Sequence, residues 1–259
     1  MTQPSQSSSS APSADHAVTQ TSGGTPPDNR ILAIDGPAGA GKSTVAARMA
    51  QRFGLLKIET GAMYRAFALK ALQNHVDLED EPALTRLSQH TRIELLPAET
   101  GNRVLLDGSD VTAQLRTTEI SEAASRVSVH GPIRAWMVDL QQQLGARIPQ
   151  GIVMEGRDIG TVVFPQASLK IYLSATPEAR TERRLAQEHA GVQGSAADAA
   201  NLLEAMRARD LRDSSRAESP LRPAADAVEI DSTRLSLDEV IERASALVCE
   251  RWQITPQLR

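Results

Sequence analysis

Residues 36–44, Gly-Pro-Ala-Gly-Ala-Gly-Lys-Ser-Thr, gather glycines, one lysine and two hydroxyls into a single short run. The run fits G-x-x-x-x-G-K-[ST], a loop built to hold phosphate. Glycine lacks a Cβ, so Gly36, Gly39 and Gly41 let the chain curl tightly and aim several N–H groups at one point. The positive end of a following helix strengthens the field there. Lys42 adds a mobile charge for the β- and γ-phosphates, and Ser43 offers a hydroxyl to Mg2+. Pro37, Ala38, Ala40 and Thr44 complete the loop. The required context is present as well. Ile31-Leu-Ala-Ile-Asp35 is an apolar run of strand length, and Thr44-Val-Ala-Ala-Arg-Met-Ala50 opens a helical pattern. The chemistry is nucleoside triphosphate binding.

A second group is cationic. From Arg180 to Arg222 eight arginines stand among seven carboxylates. This near balance argues against a generic basic patch for nucleic acid. On a helix Arg209, Arg212 and Arg216 share a face at i, i+3 and i+7, with Asp213 between them. Such a face can grip phosphate oxygens and leave a carboxylate for a sugar hydroxyl; a solvated helix laced with ion pairs is the plainer alternative. Gly61 frees the backbone at a helix start, and Arg65, one turn further, suits a phosphate. Arg157 and Asp158 follow a buried-type strand, at the end where open α/β sheets bind ligands.

The triphosphate loop alone does not name a reaction. No N-K-x-D base-recognition motif is present, which excludes the common GTPases, and no L-S-G-G-Q signature marks an ABC-type ATPase. A small-molecule kinase remains, which needs an acceptor pocket and a cover that excludes water.

The elements that position these residues are read from periodicity. Residues 1 to about 28 are rich in Ser, Gln, Thr, Gly and Pro and are expected to be a disordered tail. Strands are expected at 31–35, 55–58, 152–155, 169–173 and 227–230. Helices are expected at 44–53, 61–74, 81–90, 117–129, 132–146, from 177, at 198–212 and from Ser236 to Arg251. Gly191 to Gly194 interrupt the sixth. A small antiparallel unit is expected over 92–113, with pieces at 92–96, 102–106 and 110–112. Alternating strands and helices predict an α/β fold, a central parallel sheet of about five strands covered on both faces.

Composition bounds the rest. The 259 residues are 41% hydrophobic, 23% charged and 3% aromatic, with net charge −4. This is ordinary for a soluble protein and gives no reason to expect nucleic acid or membrane partners. Cys249 is the only cysteine, so no intrachain disulfide forms, and it is expected to be a small buried residue of the last helix. The five histidines fit no metal-ligand spacing. No secretory signal or membrane span is expected, which points to the cytoplasm; a monomer is the default.

Several stretches together resemble bacterial cytidylate kinase, in this order: the Gly36–Thr44 loop, Thr60-Gly-Ala-Met-Tyr-Arg65, Ala123-Ala-Ser-Arg-Val127, Gly156-Arg-Asp-Ile-Gly-Thr-Val-Val-Phe-Pro165 and Arg209-Asp-Leu-Arg-Asp-Ser-Ser-Arg216. The resemblance covers about residues 30–251, and the Gly156–Pro165 stretch is its most specific part. It implies a P-loop nucleoside monophosphate kinase fold. The core would be 29–60, 149–180 and 218–259, the monophosphate-binding insertion 61–148 with its small β-unit, and the lid 181–217. It implies transfer of the γ-phosphoryl group of ATP to CMP or dCMP, with Mg2+. Arg65 and Arg157 would grip the acceptor phosphate, with Thr60 beside them. Ser125, Arg134 and Asp158 would read cytosine, helped by Arg216. Asp213 would take the ribose, with Arg209 nearby, and Arg184 and Arg212 would belong to the lid. Lys42, Arg157, Arg184 and Arg212 would serve the transfer itself. Thr60 stands where serine is frequent. Glu155 stands where aspartate is frequent, in a slot expected to order Mg2+-bound water. A kinase for another small molecule and a silent nucleotide-binding module are the alternatives.

Overall fold

The computed structural model describes residues 30–98, 101–146, 148, 150–188 and 196–256. The expected tail and the Gly191–Gly194 interruption lie outside these residues.

The chain begins with β1 (Ile31–Asp35), which leads through the glycine loop into α1 (Lys42–Phe53). Gly54 ends α1 in the left-handed conformation at φ 66°, where glycine carries no Cβ penalty. Next come β2 (Leu56–Glu59), α2 (Thr60–Gln73) and α3 (Glu81–Gln89). Asp80 caps α3 by accepting the Ala83 N–H at 2.9 Å, and Pro82 sits in the first turn, where no N–H is missed.

β3 (Ile93–Ala98), β4 (Gly101–Leu106) and β5 (Ser109–Asp110) form a separate antiparallel sheet. A 3-10 turn (Gln114–Arg116), α4 (Thr118–Val127) and α5 (Gly131–Ala146) follow. The chain then returns to the main sheet through β6 (Ile152–Gly156), a π turn (Ile159–Val163) and β7 (Leu169–Ser174). α6 (Pro177–Glu188), α7 (Ala196–Ser215), β8 (Val228–Asp231) and α8 (Leu237–Trp252) complete it. α8 starts with a reciprocal capping box: Ser236 Oγ accepts the Glu239 N–H at 3.3 Å, and the Glu239 carboxylate accepts the Ser236 N–H at 2.8 Å.

The main sheet has the order β2-β6-β1-β7-β8, and every pair is parallel. Alternate side chains divide between two apolar layers, as the pleat requires. Leu32 and Ile34 of β1, with Val153 of β6, pack on Val45 and Met49 of α1 and Val248 and Trp252 of α8. Ala33, Ile152 and Met154 face the other way, toward Met63 and Phe67 of α2 and Met137 of α5. Burial on both faces is why these strands read as continuous apolar runs.

The outer edge of β2 meets the small sheet. Asn102 Nδ2 donates to Lys57 O at 2.9 Å, and its Oδ1 accepts the Glu59 N–H at 3.1 Å. One carboxamide thus pairs with two main-chain groups that a neighbouring strand would otherwise take.

Some expectations need correction. The third strand of the small sheet is Ser109–Asp110: Asp110 still pairs with Leu105, but its carboxylate accepts the Thr112 N–H at 3.0 Å and turns the chain out of the ladder after it. α7 ends at Ser215, so Arg216 lies just beyond the helix and not on its face. Cys249 is half-buried, at the edge of the α1–α8 layer and not inside it.

Candidate active site

The glycine loop is held between β1 and α1 by close contacts. Gly36 has φ +146°, and a Cβ there would fall 2.0 Å from Leu173 O of β7. Only a residue without a side chain fits. The Gly41 carbonyl accepts from the Thr44 and Val45 N–H groups, both at 3.1 Å, and starts α1 beneath the loop. Lys42 is buried, and its Nζ donates to Pro37 O at 2.7 Å. Burial lowers its pKa to about 7, and repulsion from Arg157 adds to this, opposed by Glu155. A negative charge brought close to Nζ would raise it again.

Ser43 Oγ accepts from Lys57 Nζ at 2.8 Å and faces a Glu59 carboxylate oxygen at 3.5 Å. Glu59 stands beside Glu155 across the β2–β6 ladder, and Glu155 is buried. A cation already lies against the Ser43 hydroxyl, in the form of the Lys57 ammonium, among oxygen donors. That donor set fits Mg2+, which prefers hard oxygens and keeps several waters. Among the described residues no cluster of three or more His, Cys, Asp or Glu could cage a metal on its own.

A second group of charged side chains is built at the carboxyl end of β6. Asp35, the last residue of β1, accepts the Ile159 N–H at 2.9 Å and the Gly160 N–H at 2.7 Å. Burial raises its pKa to about 6 even against these two bonds. Asp35 pins the start of the π turn and so holds the two residues before it, Arg157 and Asp158. Arg157 Nε donates to Asp213 Oδ2 of α7 at 2.9 Å. Burial pushes the Asp213 carboxyl up, but Arg157, Arg216 and Arg209 outweigh it and hold the group below the usual carboxylate range. Arg209 is lowered to about 10 by burial, reinforced by Arg157.

Asp158 pairs with Arg134 of α5, both buried. Arg134 also donates to Ser128 O at 3.1 Å and lies over the Tyr64 ring at 5.7 Å from its centroid. Arg216 donates to Asp213 O at 3.2 Å and to Ser128 Oγ at 3.4 Å. Arg65 of α2 pairs with Glu59. Thr60 spends its hydroxyl proton on Glu155 O at 2.8 Å, which ties α2 to β6.

The structure therefore brings Arg134, Arg157, Asp158, Arg209, Asp213 and Arg216 into one connected cluster beside Lys42. Thr60 and Arg65 border it through Glu155 and Glu59. Arg184 on α6 and Arg212 on α7 are half-buried; Arg212 acts on the cluster through the field it exerts on Arg209. Several buried polar atoms here have no partner: Arg65 Nε, Ser125 Oγ, Arg134 Nε, Arg209 Nε and Arg216 Nη2. A buried polar atom left unpaired costs about 1–3 kcal/mol. Five of them in and beside this charged cluster point to a polar, anionic ligand. Sequence reasoning missed Glu59, Tyr64 and Asp35. Asp35 had a visible signal, an acid closing an otherwise apolar buried strand.

Among the described residues no helix is long and apolar enough to cross a membrane. The sequence profile of a family described as "Cytidylate kinase" matches residues 32–250. A cytidylate kinase of Solibacter usitatus is 46% identical over 221 residues, spanning 85% of this chain and 93% of the relative. One of Bacillus subtilis is 48% identical over 212 residues, spanning 82% and 93%. Among solved structures, a shikimate kinase from Acinetobacter baumannii aligns with 86% of this chain and 94% of its own, at 12% identity and TM-score 0.40.

Proposed function

The chain belongs to the cytidylate kinase family, and we propose that it carries the γ-phosphoryl group of ATP to CMP or dCMP with the following division of labour. Residues 36–44 hold the ATP phosphates. Arg65 and Arg157 hold the acceptor phosphate, with Thr60 fixing the α2 start beside them. Ser125, Arg134 and Asp158 read the base, with Arg216 beside them; Asp213 takes the sugar hydroxyls, with Arg209 alongside. Arg184 and Arg212 close over the donor from the lid, 181–217. The monophosphate-binding insertion is 61–148, and the core is 29–60, 149–180 and 218–259.

The acceptor oxygen is already anionic at neutral pH, so transfer needs no strong base. What the protein supplies is alignment of two anions and neutralisation of their charge. Lys42, Arg157, Arg184 and Arg212 do this for the group in flight. Ser43 and, through water, Glu155 would hold Mg2+, which would supply neutralising charge for the phosphates. Lys57 Nζ now holds the Ser43 hydroxyl at 2.8 Å and stands 3.8 Å from the Glu59 carboxylate, an alternative partner for its charge. A carboxylate at Asp158 suits the 4-amino donor of cytosine. Uracil would set a carbonyl oxygen against it. A monomer in the cytoplasm, meeting only its two nucleotides, completes the reading.

The set of unpaired buried polar atoms in and beside the Asp158–Asp213 cluster carries this assignment. An acceptor panel of CMP, dCMP, UMP and AMP in a coupled assay of ADP formation tests it. Turnover is expected fastest with CMP or dCMP. Faster turnover with AMP or UMP would overturn the acceptor assignment, and ATP binding without transfer to any of the four would reduce the protein to a nucleotide-binding module.

A further inference from the structure

Helix α7 makes contacts along one stripe that link the two halves of the site. Met206, Asp210 and Asp213 stand at i, i+4 and i+7, on one helix face. Met206 is buried, and its Cε lies 2.9 Å from where a Cβ on Gly39 would be. Asp210 receives Arg180 Nη2 at 2.5 Å and Nη1 at 3.2 Å. Asp213 receives Arg157, as described above. Arg180 itself is 2% exposed. Its Nε donates to Ala175 O just beyond β7 at 2.9 Å, and its Nη1 also reaches Ala38 O inside the phosphate loop at 2.9 Å. A planar guanidinium can hold acceptors from three segments in fixed directions at once; an ammonium cannot. The stripe thus rests at one end on the donor loop and at the other on the acceptor arginine.

We propose that Arg180 and Asp210 are positioning residues for phosphoryl transfer, setting the separation between the phosphate loop and Arg157 through α7. Neither needs to touch a reacting atom. The inference rests on the functional reading above. In-line transfer depends on registry between two bound anions, and a misplacement of ~1 Å can cost ~100-fold in rate. Simple attachment of α6 to α7 does not need this pair of a buried guanidinium and a half-buried carboxylate. Arg207 on α7 already bridges to Glu178 on α6 at 2.6 Å on the exposed side.

The experiment compares Asp210→Asn, Asp210→Glu, Arg180→Lys and the double variant Arg180→Lys/Asp210→Asn in steady-state assays with ATP and CMP. Thermal melting and hydrogen exchange of α7, with and without ATP, accompany them. Asp210→Asn and Arg180→Lys are each expected to lower kcat by at least ~30-fold with KM for CMP within ~3-fold. The double variant should be no worse than the poorer single one, and Asp210→Glu should recover part of the rate. ATP should slow exchange in α7 of the unaltered protein but not of Asp210→Asn. The proposal is overturned if kcat in both single variants stays within ~2-fold, or if kcat falls only together with a matching rise in the CMP KM while ATP still protects α7. Failure of the unaltered protein to use CMP would instead refute the functional reading, and the exchange measurement with ATP alone would still decide whether Asp210 couples the phosphate loop to α7.

Discussion

Asp158→Asn removes one negative charge from a pair whose partner, Arg134, is 3% exposed. One side-chain oxygen remains to accept from Arg134, so the loss is smaller than the ~3–5 kcal/mol of leaving a buried charge with no partner. A cost of about 2 kcal/mol is expected, a fall in Tm of ~4–8 °C for a domain of this size. The effect on selectivity is larger. A hydrogen bond from the cytosine amine to a carboxylate contributes ~1.5–3 kcal/mol. Its loss lowers kcat/KM for CMP by ~10- to ~150-fold. The new carboxamide can turn its NH2 toward the uracil carbonyl, so UMP should be used no worse than before and the CMP-to-UMP ratio should fall by at least ~10-fold. Paired kcat/KM measurements with CMP and UMP, alongside melting curves, separate the two effects. A lowered Tm with an unchanged ratio would refute the reasoning and leave Asp158 as a purely structural partner of Arg134.

Lys42→Met should lower kcat by ~100- to ~1000-fold with little loss of stability, because the charge acts on the transferring group and the amine is buried; turnover and melting measured together test this. Gly36→Ala should destabilise the protein by ~3 kcal/mol or more in urea unfolding, since the new Cβ meets a main-chain carbonyl that cannot move without shifting β7. Asp35 has a raised folded pKa, so its contribution to stability is fully present below its unfolded value near 4 and is lost as pH rises through about 6. This is worth ~3 kcal/mol. Unfolding at pH 4 to 7 should therefore show a proton-linked component in the unaltered protein that is missing from Asp35→Asn. Ser236→Ala should cost ~1 kcal/mol through loss of the α8 cap, with turnover unchanged, as read by denaturant midpoint and assay.

What was legible in the sequence is what is local. The β1–loop–α1 unit follows from an apolar run, three glycines and a helical period, all within about 25 residues, and the parallel five-strand sheet follows from alternation of such units. The positions of Lys42, Arg157, Asp158 and Asp213 were readable because each lies in a motif. Their pairings were not. Arg157 meets Asp213 across 56 positions, and Arg134 meets Asp158 across 24. Nothing in composition selects those partners over other carboxylates nearby. The π turn after β6 also escaped, because its own main-chain bonds are joined by two more to Asp35 of another strand, a partner that local sequence does not name. Arg216 was placed on a helix by spacing alone, whereas the helix stops one residue earlier and the guanidinium folds back onto Asp213 O.

The Asn102 carboxamide of β4, bonded to the outer edge of β2, closes part of a sheet border. A terminal strand of a sheet carries open main-chain groups that can recruit a matching strand from another chain. Here a side chain caps Lys57 O and Glu59 N–H without extending the ladder, so the border is closed chemically while the smaller sheet keeps its own direction and packing. Asn102→Ala should uncover those two groups next to Ser43 and Arg65, and heating should then convert more of the protein into β-rich aggregate before activity is lost.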